Sequence, residues 1–534
     1  MWGIRMPHDL IIRNGLICDG SGSAPRPGDV AIAGDRVAAV APEIPDGGRA
    51  ELDAGGRVVA PGFINMLSWA NASLLVDGRS QSDVRQGVTL EVLGEGTSMG
   101  PLTPAMRREM SERQGDLKYT VEWTTLGEYL DHLVARGVSC NVASFMGATT
   151  ARINVLGYEN RRPAPRELDQ MRRLVQEAMA EGAVGVSSAL IYPPATYSET
   201  PELIALAEVA AEAGGLYISH IRNEEARIDE ALDEFFTIAT RTGVRSEIYH
   251  LKVSGRANWE RLGPALARIE TERSRGVAVT ADVYPYTASS TGLDTGVAPW
   301  AHEGGEAAMI SRLRDPAMRE RIRREMVLFT GPEQILVVGF KRDALKSLTG
   351  KSLAEVAAMR GRTWQETVMD LIVENDGDVS AVFFTMSEDN VRSIMAKPWV
   401  SFCSDAGSYS AEDVFLRIGT HPRAYGSFAR VLGKYVREDR IMPLEEAIRK
   451  LTDLPARTLG LPDRGRLAPG YFADVVVFDP ATISDRATYQ QPHQYATGVV
   501  HVMVNGVQVI RNGEHTGARP GRVVRGPGYP RPSA

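Results

Sequence analysis

The pattern of hydrophobic and polar residues divides the chain into two kinds of segment. Near both ends, short stretches in which Val, Ile and Leu alternate with small or polar residues are broken by turn residues such as Asn14-Gly15, which is typical of β-hairpins. A few strands with one apolar face need a partner sheet to cover them. The pattern therefore predicts one small β-sandwich built from both chain termini, residues 1–60 and 461–534.

Between the two ends, short apolar runs alternate with longer stretches of helical periodicity, which is typical of repeated strand-helix units. Such a series favours an α/β fold in which residues 61–460 form a closed (β/α)₈ TIM-type barrel. A doubly wound sheet would instead need a Gly-rich turn after the first strand, and "FINMLSW" has none. The eight candidate strands are 60–66, 88–94, 141–147, 182–188, 215–220, 246–252, 277–285 and 399–405.

The segment near 290–345 is too long for one loop and one helix, and we interpret it as an insertion that forms a lid over the barrel mouth.

Composition narrows the classes of partner. The chain has 534 residues, a formal net charge of -7 and scattered Lys and Arg, so no nucleic-acid partner is expected. No apolar run approaches the roughly 20 residues that cross a bilayer, and three cysteines argue against a disulfide framework. A cytoplasmic location without membrane association is expected. A sandwich with free edges is common in symmetric assemblies, which leaves a homo-oligomer open.

Polar residues follow several of the predicted barrel strands, where barrel enzymes carry their chemistry. His220 and His250 are separated by one strand-helix repeat, so they are expected on neighbouring strands at the same height. Glu95 and Asp405 follow two other strands. One such histidine alone is more often structural, but two with nearby carboxylates favour a zinc-type ion.

Six motifs in order identify a family resemblance. They are "ALIYPPATYSETPEL", "SHIRNE", "YHLKVSG", "NWERL", "ADVYPYTASST" and "FCSDAG". Together they resemble the D-aminoacylase branch of the amidohydrolase superfamily, the N-acyl-D-amino-acid deacylases. Each motif alone is weak evidence, whereas six in the expected order are strong, and the likeness covers nearly the whole chain.

The resemblance implies roles for individual residues. His220 and His250 match the histidines that hold the tighter zinc in that family, and Asp405 matches the aspartate that moves a proton from water to the leaving amine. Three further residues match positions that grip the α-carboxylate of the substrate, a role that suits a guanidinium and an ammonium beside a phenol. These are Lys252, Tyr284 and Arg423.

The chain departs from the family pattern at two places. Leu67 and Trp69 stand where the family has a pair of histidines, so the second metal position should be absent and these side chains should form an apolar wall. Glu95, in "LGEGTS", replaces the family's cysteine, and a carboxylate can substitute for a thiolate on zinc. We therefore expect one Zn²⁺ ion, held by His220, His250 and Glu95.

The sequence thus predicts a zinc-dependent amidohydrolase that deacylates an N-acyl (D-)amino acid or a related small molecule bearing a carboxylate. Two alternatives stay open. One is a hydrolase of a cyclic amide or a lactone on the same site, because a fold does not fix the bond that is cleaved. The other is a degenerate barrel without catalysis.

Overall fold

The computed structural model describes residues 8–530, which contain twenty-one β-strands. In chain order they are β1 His8–Ile17, β2 Arg26–Ala33, β3 Arg36–Ala41, β4 Gly48–Asp53, β5 Val58–Pro61, β6 Phe63–Asn65, β7 Val88–Leu93, β8 Asn141–Ser144, β9 Met146–Gly147, β10 Gly185–Ala189, β11 Leu216–His220, β12 Arg245–Ile248, β13 Val279–Val283, β14 Ser289–Gly292, β15 Ile335–Gly339, β16 Ser380–Phe383, β17 Val400–Phe402, β18 Val475–Phe478, β19 Val499–Val504, β20 Val507–Arg511 and β21 Glu514–His515.

Seventeen α-helices connect these strands within the described residues. They are α1 Ser73–Val76, α2 Gln81–Val84, α3 Pro104–Glu112, α4 Leu126–Arg136, α5 Ala148–Leu156, α6 Pro165–Ala180, α7 Thr200–Glu212, α8 Ile228–Thr242, α9 Leu262–Ser274, α10 Glu306–Arg314, α11 Pro316–Glu325, α12 Leu353–Arg360, α13 Trp364–Asn375, α14 Glu388–Met395, α15 Arg423–Arg430, α16 Leu444–Leu451 and α17 Asp453–Leu459. A π-helix, Val431–Glu438, continues α15. Short 3₁₀ helices lie at Ala195–Tyr197, Arg256–Arg261, Leu293–Gly296, Pro299–His302, Pro332–Gln334, Asp343–Leu348 and Asp413–Arg417. None of the helices between residues 8 and 530 is long and apolar enough to cross a membrane.

The two chain ends form one β domain, built on a single branched sheet where a sandwich was predicted. Strands β1–β5 and β18–β21 join in a nine-stranded sheet, and the ends meet where β5 pairs antiparallel with β18. The sheet branches at β1, which pairs with β2, β4 and β5. Its apolar interior contains residues of both ends, because neither set of strands can cover its own apolar face. Examples are Ile12, Val30, Val59, Val475 and Met503.

The central strands form the predicted parallel barrel. Strands β9 to β13 and β17 pair in one run, and β6, β7 and β8 pair in another. The predicted strand 141–147 is divided at Phe145 into β8 and β9, so these two runs follow each other around the ring. A parallel bridge between Ser68 and Ala406 closes the ring between its first and last strands. Each of the eight predicted positions carries a strand, and the fold class is confirmed.

Two strands are shorter than predicted. The strand predicted at 246–252 ends at Ile248, and the one predicted at 399–405 ends at Phe402. His250 has φ of 31° and Asp405 has φ of 49°, a backbone conformation in which an extended strand cannot continue. Both side chains are therefore presented by turns just beyond the strands.

The insertion is longer than predicted. Strand β16 pairs antiparallel with both β14 and β15, so the unit continues beyond residue 345 through α12 and α13 to Phe383. It has its own apolar core, which includes Leu293, Val337 and Phe383. The limit at 345 was placed too early because this small sheet is incomplete without β16.

Candidate metal centre and substrate cavity

Three predicted ligands meet at the mouth of the barrel. Glu95 follows β7, His220 ends β11 and His250 lies in the turn after β12. The Oε1 atom of Glu95 is 3.1 Å from Nδ1 of His220 and 3.1 Å from Nε2 of His250. The two imidazole rings are 4.4 Å apart and nearly perpendicular. All three side chains are buried, and one donor atom of each lies within 4.8 Å of the others.

The geometry of this triad fits a zinc ion. Bonds of about 2.0–2.1 Å in a tetrahedral arrangement hold neighbouring ligand atoms about 3.3 Å apart. The separations of 3.1 Å between Glu95 and each histidine are close to that value. Two nitrogen atoms and one carboxylate oxygen are also a ligand set that zinc accepts. The residues present therefore fit the group that the sequence predicts.

The electrostatics of the triad favour a positive charge between the ligands. Burial raises the pKa of Glu95, but hydrogen bonds from His220 and His250 hold it well below its usual range. Burial and Lys252 lower the pKa of His250, yet Glu224 and Glu95 together raise it to about 10. A cation, either a proton or a metal ion, is thus stabilised at this position.

Glu224 is a site residue that the sequence analysis missed. Its carboxylate lies 3.5 Å from Nε2 of His220 and 3.3 Å from Nδ1 of His250, the ring nitrogens that face away from Glu95. It also accepts a hydrogen bond of 2.7 Å from Nζ of Lys252. Such an outer carboxylate fixes the orientation of metal-binding imidazoles. The available signal was its position in "SHIRNE", four residues after His220.

Asp282 holds the turn that presents His250. Its Oδ1 atom accepts a hydrogen bond of 2.6 Å from the backbone N–H of His250. This contact was not predicted from the sequence. A carboxylate on the next strand satisfies a backbone donor that the left-handed turn would otherwise leave unpaired.

Asp405 lines the cavity, and each of its carboxylate oxygens has a side-chain partner. The indole Nε1–H of Trp69 donates to Oδ1 over 3.1 Å, and Nη1 of Arg423 lies 2.7 Å from Oδ2. Its backbone N–H donates to the carbonyl of Leu67 over 2.9 Å. The prediction of an apolar wall is therefore wrong for Trp69, whose polar edge points at Asp405. Leu67 is fully buried in an apolar cluster and does not line the cavity.

The three residues predicted to grip a carboxylate line the same cavity. The guanidinium of Arg423 lies 4.5 Å from the ring centre of Tyr284. The Tyr284 hydroxyl is buried and has no hydrogen-bond partner within residues 8–530, and burial raises its pKa well above the usual range. Lys252 is 5.7 Å from the same ring centre. The cationic side chains of Arg423 and Lys252 therefore lie near the ring of Tyr284 in this cavity.

The cavity has a volume of about 700 Å³ and lies between the barrel and the insertion. The metal triad and Asp405 line its barrel side, while β14 and two acidic residues of the insertion, Asp294 and Asp378, line the other side. A buried ion site beside a cavity of this size is suited to a small molecule. The insertion forms a wall of the site, where the lid was predicted.

A barrel with a histidine-carboxylate metal triad at the ends of its strands, completed by a β domain from both chain termini, defines a metal-dependent amidohydrolase. The family model described as "Amidohydrolase family" matches residues 338–510. D-aminoacylase of Alcaligenes xylosoxydans xylosoxydans is 34% identical, with 97% of this chain and 98% of the relative covered. N-acyl-D-glutamate deacylase of the same organism is 35% identical over 97% and 96% of the two chains.

A solved structure agrees with these sequence relatives. The N-acyl-D-glutamate deacylase of Bordetella bronchiseptica, complexed with zinc and a phosphonate inhibitor that mimics the tetrahedral intermediate, superimposes with a TM-score of 0.80 at 32% identity. The match covers 97% of this chain and 99% of that chain. The chain therefore belongs to the D-aminoacylase family of amidohydrolases, as the sequence motifs predicted.

Proposed function

We propose that this protein hydrolyses the linear amide bond of an N-acyl amino acid, with preference for the D centre, using one zinc ion held by Glu95, His220 and His250. The observation that carries the proposal is the convergence of these three buried donors beside a cavity that also holds Asp405 and two cationic side chains. The names of the relatives, D-aminoacylase and N-acyl-D-glutamate deacylase, support the D centre and the α-carboxylate.

The side chains divide the chemistry among themselves. A bound zinc ion supplies Lewis acidity that polarises the amide carbonyl and activates a water molecule. The carboxylate of Asp405 accepts a proton from the attacking water and returns it to the leaving nitrogen, so that the amine departs uncharged. Glu224 keeps both imidazoles oriented, since it lies at their outer nitrogens.

Substrate recognition is assigned to the side chains that face the carboxylate of the substrate. The Tyr284 hydroxyl donates to one carboxylate oxygen, and Arg423 and Lys252 share their positive charge between the substrate and their present partners, Asp405 and Glu224. A neutral cyclic amide or lactone offers no carboxylate to these groups. Replacement of Lys252 or Arg423 is therefore expected to raise KM for an N-acyl amino acid by roughly tenfold or more, while the KM of a neutral ring changes little.

The deciding experiment measures metal per chain on protein purified without chelator, for the native chain and for His220→Ala. We expect about one zinc per chain, lost in the variant. His132→Ala is the matched control, because His132 lies on α4 away from the triad. A panel of N-acyl-D- and N-acyl-L-amino acids then tests the reaction. Absence of metal and of hydrolysis would favour the non-catalytic barrel, and two metals would contradict the single site.

Two expectations from the sequence stay predictions. They are the cytoplasmic location and the assembly into a homo-oligomer. The predicted small-molecule substrate agrees with the cavity and with the names of the relatives.

A further inference from the structure

Trp69 lies beside Asp405 at the mouth of the barrel, and its polar contact distinguishes it from a purely apolar wall residue. The residue is 40% exposed and lines the cavity, unlike its fully buried neighbour Leu67. Its backbone N–H donates to the carbonyl of Ala406 over 2.9 Å. The closing bridge of the barrel, between Ser68 and Ala406, lies directly beside it. The backbone thus holds the indole at a fixed height next to Asp405.

The carboxylate of Asp405 has two side-chain partners within residues 8–530, Arg423 and Trp69. Substrate binding affects these two contacts differently. Arg423 is 2.7 Å from Oδ2 and is also the cation assigned to the carboxylate of the substrate. A guanidinium that turns to a second carboxylate weakens its pairing with the first, because the two anions share one positive charge. The indole N–H of Trp69, at 3.1 Å from Oδ1, has no such competitor.

We propose that Trp69 is the positioning residue for the proton carrier Asp405, holding its carboxylate by an N–H hydrogen bond when Arg423 engages the substrate. This inference rests on the proposed function and extends it. In this chain, a hydrogen bond from an indole fixes the carboxylate beside the single metal site. Rotation of Asp405 away from the reacting water and amine is thereby prevented, which matters because proton transfer requires hydrogen-bond distance.

Kinetics of three variants test the role with N-acetyl-D-glutamate as substrate. Trp69→Phe keeps an aromatic ring without the N–H and is expected to lower kcat roughly ten- to a hundredfold while KM changes by less than about twofold. Trp69→Gln restores an N–H donor and is expected to recover part of kcat. Trp300→Phe is the control, because Trp300 also donates from Nε1 to a carboxylate, that of Glu325 at 2.6 Å, on the insertion.

Metal content is measured on every variant. Retention of the ion with reduced kcat supports the inference, whereas loss of the ion from Trp69→Phe overturns it. An unchanged kcat, or equal rates for the Phe and Gln variants, also overturns it.

A spectroscopic readout works without any substrate. The chain has seven tryptophans, and isotope labelling resolves their indole N–H resonances. The resonance that disappears in Trp69→Phe is expected to shift in Asp405→Asn and to stay in place in Glu325→Gln. If the indole N–H resonance of Trp69 does not shift in Asp405→Asn, the inference is overturned. If the native chain hydrolyses no N-acyl amino acid, the proposed function fails, yet this shift still decides whether Trp69 holds Asp405.

Discussion

At the scale of single residues, the proposed metal site depends most on Glu95, the one carboxylate among its three ligands. The family resemblance implies a cysteine thiolate at the position of Glu95. A carboxylate carries the same charge as a thiolate, so the charge balance around a divalent ion is preserved. Glu224 does not add a free negative charge, because Lys252 pairs with it at 2.7 Å. In the proposed site, an oxygen ligand in place of sulfur therefore leaves the charge of the ligand set unchanged.

Because a carboxylate and a thiolate carry the same charge, Glu95→Gln and Glu95→Cys are expected to have opposite effects on zinc binding. Glu95→Gln removes the negative charge and is expected to weaken zinc binding roughly a hundredfold or more, whereas Glu95→Cys is expected to retain about one zinc per chain. Metal content after dialysis at neutral pH measures both. Glu225→Gln, next to Glu224 on the cavity wall, serves as the control. Full metal content in Glu95→Gln would show that the third ligand is another group.

Zinc binding should also depend on pH through His250. Glu224 and Glu95 raise the pKa of His250 to about 10 against the opposing effects of burial and Lys252, so the imidazole carries a proton at neutral pH that must leave before the ring binds an ion. The affinity is therefore expected to rise with pH, by up to about tenfold per unit between pH 6 and 8. Calorimetric titration of chelator-treated protein in buffers of different ionisation enthalpy measures the released proton. Binding without proton release would contradict this assignment.

At the scale of elements, the positions of the strands could be predicted from the sequence, but the residues at which the strands end could not. The apolar run before His250 was visible as a strand, because its period and composition are local properties. The end of that strand depends on a hydrogen bond from His250 to Asp282 on another strand, which no local pattern encodes. The same limit explains Trp69, whose partner Asp405 lies more than three hundred residues away in sequence. The ligand types could be predicted, whereas contacts across the barrel could not.

Neighbouring strands β12 and β13 carry a buried acid pair with a consequence for stability. Burial, then the charge of Asp282, raises the pKa of Glu247 well above its usual range, and burial raises that of Asp282 to about 6. The folded state therefore keeps protons that the unfolded chain releases above about pH 4.5. Since such pKa values are raised, the stability contributed at low pH is lost as the pH rises through about 6 and beyond.

Glu247→Gln should relieve this loss. We expect its melting temperature to exceed that of the native chain by a few degrees at pH 8, with a smaller difference at pH 5. Glu202→Gln is the contrasting control, because Glu202 pairs with the fully buried Arg152 at 2.7 Å and its loss should destabilise at both pH values. Thermal melts of the three proteins at the two pH values decide the matter. A gain that is larger at pH 5 would contradict the raised pKa values of this pair.

At the scale of the whole molecule, one buried aspartate joins the β domain to the barrel. Asp474 precedes β18 and forms a buried ion pair with Arg464. It also accepts a hydrogen bond of 2.8 Å from the backbone of Asn505, and its backbone carbonyl accepts one of 2.9 Å from Gly62 at the entrance to the barrel. Asn141, at the start of β8, approaches its carboxylate to 3.4 Å. The β domain and the barrel are thus joined through one buried charge.

The chain is therefore expected to be far more sensitive to a change at Asp474 than to one at the half-exposed Asp463. Asp474→Asn leaves Arg464 charged and buried without a counter-ion, which costs about 3–5 kcal/mol, whereas Asp463→Asn removes a surface pair with Arg36 and costs about 1 kcal/mol or less. The double change Arg464→Met with Asp474→Asn removes both charges, so it should be less destabilised than Asp474→Asn alone. Denaturant unfolding followed by separate probes of barrel and β domain measures the differences. Because the carboxylate links both parts, the two probes should shift together in Asp474→Asn, and a shift confined to the β domain would contradict that link.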